Sequence, residues 1–428
     1  MVVSLKHLEV KKSTLQGSLK VPSSKSQTHR ALIFAALAKG ESIIDHLLLS
    51  PDTYQLISCL QKLGAKIRLD GDRCFVEGVN GRFVNTKSPL DVGNSGIALR
   101  FLTALVALSQ STYTLTGDQS LCLNRPMEPL CQALISNGVA ISYLDQIGRA
   151  PITVRGPFTG GEIHVNGADS QPVSALLMAA AFAENLTTIL VNDPGELPWV
   201  DLTLLWLEKF GVSLKREGYS KYYIEPISNM NRFEYSVPGD WSSAAFPIAA
   251  SLITGSELVL ENVDIENSQG DKQLINILTQ MGAEIELDPK THSLKIPGNQ
   301  RLHGIDVDIN HCIDVVTILS VVACFAKGKT RIYNAKIARE KECDRLSCTA
   351  KELKKMGASI YEKRDGLEIF EAKIRGASVD SHGDHRLAMS LAIAGLAAKG
   401  SSIVQNVDCI SKTYPSFISD FRNLGATL

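Results

Sequence analysis

Two patterns of apolar and polar positions alternate along the chain, and each occurs six times. In the first, a run rich in Ala and Leu is followed by a short turn and then by an apolar segment rich in β-branched residues. The runs are apolar on every side, which predicts buried helices, and the segments after them are typical of strands. The six copies are RALIFAALAKGESII, IALRFLTALVALSQSTYTL, SALLMAAAFAENLTTIL, SAAFPIAASLITGSELVL, VVTILSVVACFAKGKTRI and RLAMSLAIAGLAAKGSSIV.

The second pattern is the end of a leucine-rich helix, then a glycine, then a small residue and a strand. Glycine at this point is a favourable helix C-cap, because it adopts the left-handed conformation without strain. The copies recur roughly every 70 residues, so each repeat holds two helices and several strands. Two sets of three repeats predict two similar α/β domains. The six glycines are Gly64, Gly138, Gly211, Gly282, Gly357 and Gly425.

A short polar segment, here called a helix leader, precedes each buried helix. Helix N-termini carry free N–H groups and partial positive charge, so they favour anions. If the six helices are equivalent by repeat symmetry, their leaders can line one shared site for anionic ligands. For the first leader alone, an ordinary capped helix with two solvated cations, Lys25 and Arg30, explains the residues equally well. The leaders are SSKSQTHR, GNSG, ADSQPVS, PGDWSS, HCID and HGDHR.

Length and composition narrow the class of protein. A chain of 428 residues predicts two domains, and 44 basic against 45 acidic residues argue against nucleic acid or a membrane surface as the main partner. The apolar runs are shorter than the ~18 residues of a membrane span. The N-terminus has no apolar core of signal-peptide length, and the nine cysteines are scattered without a CxxC pair. We therefore expect reduced thiols, no zinc site and a cytoplasmic location.

Further charged clusters lie outside the leaders. Arg125 lies in NRPMEP, Arg345 in REKECDRL and Lys412 in CISKTYP. Taken alone, KECDR favours a solvated helix face with charge pairs three or four residues apart. Arg125 beside a proline likewise favours a structural role. These cations indicate a function only as a set directed at anions.

The motifs, in order, resemble the 5-enolpyruvylshikimate-3-phosphate synthase family over nearly the whole chain. Its fold has two similar domains, each of three repeated α/β units with buried helices, an inside-out α/β barrel. The resemblance implies an N-terminal domain of residues 21–240 and a C-terminal domain of residues 1–20 and 241–428. The matching segments are VPSSKSQTHRAL, GNSGIALRFLTA, GDQSLCLNRPM, DSQPVSALLMA, PWVDLTL, GDWSSAAF, QGDK, KECDRL, GDHRLAM and CISKTYP.

The resemblance implies transfer of the enolpyruvyl group of phosphoenolpyruvate to the 5-hydroxyl of shikimate 3-phosphate. It implies no metal or organic cofactor, and small-molecule partners for a chain that we expect to be a monomer. Asp314 is expected to take the hydroxyl proton, while Glu342 and Lys25 serve the C3 proton and the leaving oxygen. The residues implied for shikimate 3-phosphate are Lys25, Ser26, Arg30, Ser170, Gln171, Trp199, Asp314 and Lys341. Those implied for phosphoenolpyruvate are Lys25, Asn94, Gly96, Arg125, Gln171, Arg345, Arg386 and Lys412.

Gly96 also bears on inhibition. The family's inhibitor glyphosate is a slightly longer anion that occupies the phosphoenolpyruvate subsite, and an alanine at this position tends to exclude it. Because this chain keeps glycine, the resemblance implies that glyphosate competes with phosphoenolpyruvate.

The chain departs from the family pattern at two acidic positions. Asp169 and Glu196 stand where the family commonly has serines that help to hold the shikimate phosphate. Since carboxylates there would repel the phosphate, we expect one or both to be paired with a cation or hydrogen-bonded away from it. In addition, Ile337 replaces an expected asparagine, and the GDQSLCLNRPM segment is one residue longer than usual.

Two alternatives remain at this point. An enolpyruvyl transferase acting on UDP-N-acetylglucosamine shares the fold, but it usually has Lys-Asn where this chain has Lys25-Ser26. It also carries a reactive loop cysteine, and Cys122 lies near that region. KECDR, GDHR and SKTYP favour the shikimate enzyme. The second alternative is a catalytically inactive anion-binding protein, against which the full set of candidate catalytic residues argues.

Overall fold

The computed structural model describes residues 6–428. It contains twenty-three strands, most of them three to six residues long. They are β1 His7–Lys11, β2 Gln16–Lys20, β3 Glu41–Asp45, β4 Lys66–Asp70, β5 Arg73–Glu77, β6 Leu90–Asp91, β7 Thr112–Thr116, β8 Ala140–Tyr143, β9 Ile152–Arg155, β10 Gly161–Asn166, β11 Thr187–Asn192, β12 Leu214–Glu217, β13 Lys221–Ile224, β14 Glu234–Ser236, β15 Glu257–Glu261, β16 Glu286–Asp288, β17 Ser293–Ile296, β18 Asp306–Asp308, β19 Lys329–Tyr333, β20 Ser359–Lys363, β21 Gly366–Phe370, β22 Ser378–Asp380 and β23 Ser401–Gln405.

Thirteen α-helices and four short 3-10 helices accompany the strands in the described residues. The α-helices are α1 Lys25–Leu37, α2 Pro51–Lys62, α3 Gly96–Val106, α4 Gln119–Asn124, α5 Glu128–Ser136, α6 Ser170–Ala180, α7 Leu197–Lys209, α8 Trp241–Thr254, α9 Gln273–Gln280, α10 Val316–Phe325, α11 Arg345–Lys355, α12 His385–Ala397 and α13 Phe417–Asn423. The 3-10 helices are Gly270–Lys272, Asn310–Val315, Lys336–Glu340 and Val407–Lys412. No helix of residues 6–428 combines the length and the apolar character needed to cross a bilayer.

The chain forms two compact units. Residues 25–237 form the N-terminal unit, while residues 6–24 and 238–428 form the C-terminal unit. Each unit has its own hydrophobic core. The boundaries implied by the resemblance, after residues 20 and 240, lie within four residues of these bounds.

Five of the six sheets repeat one strand order. The first strand pairs parallel with the second, and two antiparallel strands follow, as in β6-β7-β9-β8. The parallel pair needs a crossover, and a buried helix supplies it, since α3 lies between β6 and β7 in the chain. The sixth sheet, β1-β23-β22, keeps the order with its fourth strand reduced to an isolated bridge between Lys11 and Thr427.

The chain crosses between units inside two of these repeats. Strand β2 pairs parallel with β15, although the whole N-terminal unit lies between them in sequence. In the same way β14, near the end of the N-terminal unit, pairs parallel with β3 near its start. The N-terminal unit therefore completes its three repeats with one strand that is remote in sequence, β14, and the C-terminal unit with two, β1 and β2.

The predicted buried helices are confirmed. In α1, α3, α6, α8, α10 and α12 nearly every residue after the first turn is inaccessible to solvent. All six repeat glycines have φ between 73° and 104°, the left-handed conformation expected of a helix C-cap. The α/β fold with three repeats in each unit follows from these elements.

Candidate active site

Arg345 is the centre of a buried ionic cluster in the C-terminal unit. It is the first residue of α11, directly after the N-cap Asp344, and its side chain is 1% exposed. Its guanidinium donates from Nη1 to Asp314 Oδ1 at 2.6 Å, and from Nη2 to Glu342 Oε2 at 2.7 Å. Nε donates to Asp384 Oδ2 at 2.7 Å. These three carboxylates hold the pKa of Arg345 well above its usual range despite burial, which lowers it.

Arg386 binds Asp314 as well, at the carboxylate oxygen that Arg345 does not contact. It lies in the first turn of α12, which Asp384 caps by accepting from the backbone N–H of Arg386 at 2.8 Å. Its Nη2 donates to Asp314 Oδ2 at 2.8 Å. Burial would raise the pKa of Asp314, but the charges of Arg386 and Arg345 outweigh it and hold that pKa well below its usual range. Asp314 is therefore ionised at neutral pH.

One group of residues in this cluster has the donor atoms of a metal site. The ligand atoms of Glu342, Asp384 and His385 lie within 4.8 Å of one another. However, Arg345 already donates to both carboxylates, and a metal cation would have to displace that guanidinium. The residues present therefore fit an anion-binding cluster better than a metal centre.

Two lysines extend the positive charge of this unit. Lys341 is 6% exposed, and its charge contributes to the lowered pKa of Asp314. Lys412 is the last residue of the 3-10 helix Val407–Lys412. Burial raises the pKa of the nearby Cys409 thiol, and the positive charge of Lys412 acts to lower it. The interpretation of KECDR as a solvated helix face is wrong, because Glu342 is only 8% exposed and Arg345 is 1% exposed.

In the N-terminal unit, Arg30 is a buried cation surrounded by neutral acceptors. It lies on α1 and is 2% exposed. Its Nε and Nη2 donate to Thr203 Oγ1 at 3.0 and 2.8 Å, and the carbonyls of Trp199 and Ser26 accept at 3.2 Å. No carboxylate within residues 6–428 pairs with it, and burial lowers the pKa of Arg30 to about 9. It remains charged at neutral pH and can bind an anion.

Lys25 begins the same helix. Its Nζ lies 3.4 Å from Asp52 Oδ2, in the first turn of α2, and the two side chains are 18% and 4% exposed. Asp52 thus fixes the direction of the ammonium group. With Arg30 buried as well, the alternative of two solvated cations on α1 is wrong.

Gly96 heads α3 beside a second group of cations. A Cβ at Gly96 would lie 3.1 Å from Arg100 Nη1 and 3.6 Å from Arg125 Nε. Arg100 donates from Nη1 to Gln171 Oε1 at 2.8 Å, which links α3 to the leader of α6. Asn94, in the α3 leader, donates to both carboxylate oxygens of Asp118 at 2.8 Å.

The two acidic departures have defined partners. Asp169 Oδ2 lies 3.4 Å from Arg100 Nη2, and Oδ1 caps α6 by accepting from the N–H of Gln171 at 2.9 Å. Glu196 is 3% exposed and has φ of 47°. Its Oε2 accepts from the N–H and the hydroxyl of Ser170 at 3.0 and 3.2 Å. The expected cation for Asp169 is thus Arg100, and Glu196 occupies hydrogen-bonding groups of Ser170 itself.

In the C-terminal unit, then, the leaders of α10 and α12 meet through Arg386 and Asp314, and in the N-terminal unit Arg100 joins α3 to the leader of α6; all of these arginines are buried. A model of the family described as EPSP synthase (3-phosphoshikimate 1-carboxyvinyltransferase) matches residues 10–421. The chain belongs to the EPSP synthase family.

Relatives and solved structures agree with this membership. The 3-phosphoshikimate 1-carboxyvinyltransferase of Acetivibrio thermocellus is 38% identical over 98% of this chain and 99% of its own length. The protein of the same name from Chlamydia trachomatis serovar L2 is 40% identical over 100% and 97%. A solved EPSP synthase structure from Acinetobacter baumannii superposes with a TM-score of 0.83 at 28% identity, over 99% of both chains. The predicted family and fold class are confirmed.

The EPSP synthase motifs did not predict which residues form hydrogen bonds and ion pairs with the candidate site residues. In the C-terminal unit the structure joins Asp314, Glu342, Arg345 and Arg386, but Asp384 was not predicted. In the N-terminal unit Asp52, Arg100 and Thr203 were likewise missed as partners. Arg100 had a sequence signal, because it follows Gly96 by one helical turn. The roles assigned to individual residues stay predictions.

Proposed function

We propose that this chain transfers the enolpyruvyl group of phosphoenolpyruvate to the 5-hydroxyl of shikimate 3-phosphate and releases phosphate. Membership of the EPSP synthase family over residues 10–421 supports this activity, and so do the names of relatives at about 40% identity. The observation that carries the mechanism is the ionised Asp314 between Arg345 and Arg386. A carboxylate held between cations can accept a proton where anionic substrates bind.

The anionic groups of both substrates require cations and N–H donors. Shikimate 3-phosphate is proposed to bind Arg30, whose guanidinium already has neutral acceptors and lacks a carboxylate partner in residues 6–428. Other proposed contacts of this substrate are Lys25, Ser26, Ser170, Gln171, Trp199, Asp314 and Lys341. Phosphoenolpyruvate is proposed to contact Lys25, Asn94, Gly96, Arg125, Gln171, Arg345, Arg386 and Lys412.

In the proposed reaction the 5-hydroxyl oxygen bonds to C2 of phosphoenolpyruvate while C3 takes up a proton. Asp314 accepts the hydroxyl proton, and Glu342, with Lys25, delivers the C3 proton. In the second half the C2–O bond to phosphate breaks, C3 loses a proton and the methylene group is restored. Glu342 then takes that proton back, and the phosphate oxygen, to which Lys25 donates a hydrogen bond, departs with the proton that Asp314 took from the hydroxyl.

Substrate charge would tune Asp314 for this role. In the free protein, Arg386 and Arg345 keep the pKa of Asp314 low, so its carboxylate is a weak base. When anionic substrates pair with these arginines, less positive charge acts on Asp314, and its affinity for a proton rises. The mechanism as proposed needs no metal or organic cofactor, since these cations supply the electrostatic stabilisation.

The test is phosphate release from phosphoenolpyruvate with each of two acceptors. Shikimate 3-phosphate should support turnover, while UDP-N-acetylglucosamine should support none above background. Asp314→Asn is the matched variant, because amide for carboxylate keeps the shape and removes the base. Turnover with UDP-N-acetylglucosamine alone would replace the proposal by the alternative enolpyruvyl transfer.

We also propose that the protein acts as a cytoplasmic monomer without nucleic acid or membrane as a partner. The nine cysteines are free thiols, which suits a reducing compartment, and the near-zero net charge offers no excess for a polyanion. Native mass measurement at assay concentration tests the monomer. Fractionation of cells that express the chain tests the location.

A further inference from the structure

Asp271 is a buried carboxyl group that the mechanism above does not use. It lies in the 3-10 helix Gly270–Lys272, within the QGDK segment, and is fully inaccessible. The hydroxyl of Ser242, in the first turn of α8, donates to its Oδ2. Its Oδ1 is also buried, and no donor in residues 6–428 reaches it. A buried carboxyl with only one such bond is costly to ionise.

Its position connects Asp271 to the proposed base. Gly270–Lys272 packs against the 3-10 helix Asn310–Val315, which carries Asp314. Burial, and then the negative charge of Asp314, raise the pKa of Asp271 to about 7, although Arg386 and the Ser242 hydrogen bond act to lower it. Asp240, the N-cap of α8, adds a second negative charge.

The charge of Asp271 also acts on a neighbouring thiol. Cys312 lies in the same 3-10 helix as Asp314, and its pKa is raised by burial and then by the charges of Asp271, Asp308 and Asp314. The titratable groups that face Asp271 are therefore the carboxylates of Asp240 and Asp314, the thiol of Cys312 and one cation, Arg386. Among them, only Arg386 also hydrogen-bonds Asp314.

The charge of Arg386 thus acts on two carboxyl groups: it hydrogen-bonds Asp314, and it lowers the pKa of Asp271 without a hydrogen bond to it. When Asp271 is ionised, its negative charge repels that of Asp314 and offsets part of the positive charge of Arg386. Asp314 therefore binds a proton more readily. When Asp271 is protonated, Arg386 acts on Asp314 alone, and Asp314 is a weaker base. We propose that Asp271 is a positioning residue whose buried carboxyl, held by Ser242, controls the basicity of Asp314 through their shared arginine.

This inference rests on the proposed role of Asp314 as base, and its test is the pH dependence of kcat/KM. The rate for phosphoenolpyruvate at saturating shikimate 3-phosphate is measured from pH 5 to 9 for wild type and Asp271→Asn. Substrate phosphates titrate near pH 6 and affect both proteins equally. The readout is therefore the kcat/KM of the wild type divided by that of Asp271→Asn at each pH. We expect the ratio to rise about threefold or more with pH, with a midpoint near 7.

Ser242→Ala gives an independent readout if Asp271→Asn folds poorly. The hydroxyl of Ser242 stabilises the ionised form of Asp271, so its loss should raise the pKa of that carboxyl. When the rate of Ser242→Ala is divided by that of Asp271→Asn, the midpoint of the rise should therefore lie about one pH unit or more above the midpoint for wild type. Asp288→Asn, at an exposed position of the same unit, should change nothing. A flat ratio for Asp271→Asn, or an unmoved midpoint for Ser242→Ala, would overturn the inference.

The same series separates this inference from the proposed function. Absence of turnover with shikimate 3-phosphate in the wild type would refute the function itself. Full turnover in Asp314→Asn would refute the role of the base. Only the pH dependence of the ratio, in a wild type that is active and needs Asp314, bears on Asp271. Thermal melts of every variant across the pH range are the check that differences in rate do not come from a change in the folded fraction.

Discussion

Replacing Gly96 by alanine adds one methyl group at the head of α3. The new Cβ would lie 3.1 Å from Arg100 Nη1, a distance shorter than the ordinary contact range, which begins at 3.4 Å. The guanidinium must therefore move by about 0.3 Å or more. The same Nη1 donates to Gln171 Oε1 at 2.8 Å, so the shift weakens a hydrogen bond of a charged group.

The two anions should respond differently. Full loss of a charged hydrogen bond costs ~1.5–3 kcal/mol, so a partial loss of about 1 kcal/mol corresponds to a KM for phosphoenolpyruvate raised about fivefold. Glyphosate, as the longer anion, would meet the methyl itself. Overpacking of that kind costs ~1–3 kcal/mol in addition, which predicts an inhibition constant raised about 25-fold to several hundred-fold.

The assay is steady-state inhibition by glyphosate at several phosphoenolpyruvate concentrations, with wild type and variant side by side. Arg100→Lys provides the structural control, because a lysine lacks the Nη1 atom that the methyl would meet. In that background, Gly96→Ala should raise the KM for phosphoenolpyruvate by less than it does alone. A wild type insensitive to glyphosate, or unchanged inhibition in Gly96→Ala, would show that Gly96 does not line this subsite.

Three further predictions concern the charged residues. Asp314→Asn and Glu342→Gln should each lower kcat by about 10²–10⁴ with smaller changes in substrate affinity, measured by steady-state kinetics and by calorimetric binding. Near-normal turnover in either variant would remove that residue from the mechanism. Arg30→Gln should weaken shikimate 3-phosphate about 10–100-fold in calorimetry, whereas the exposed Arg68→Gln should bind normally; equal affinities would contradict the assignment. Arg345→Met leaves Asp314, Glu342 and Asp384 without their shared cation, and urea unfolding should show a loss of about 3–5 kcal/mol; an unchanged midpoint would mean that the cluster adds no stability.

The repeat architecture was determined by the sequence, because it depends on local properties. A helix that is apolar on every side must be buried, and a glycine after a helix end adopts a left-handed conformation that other residues resist. Both rules use only neighbours in the chain, and all six copies of each pattern followed them. The order of the family motifs likewise predicted the family, which the family model and the relatives confirm.

Tertiary structure alone decided which partners the charged residues have. KECDR has the composition of a solvated helix face, yet Arg345 is buried, because Asp314 and Asp384 approach it from 31 and 39 residues away. No local pattern records such distances. The same holds for Lys25 with Asp52 and for Arg100 with Gln171. A buried charge persists only with its partners, and the fold alone brings those partners to it.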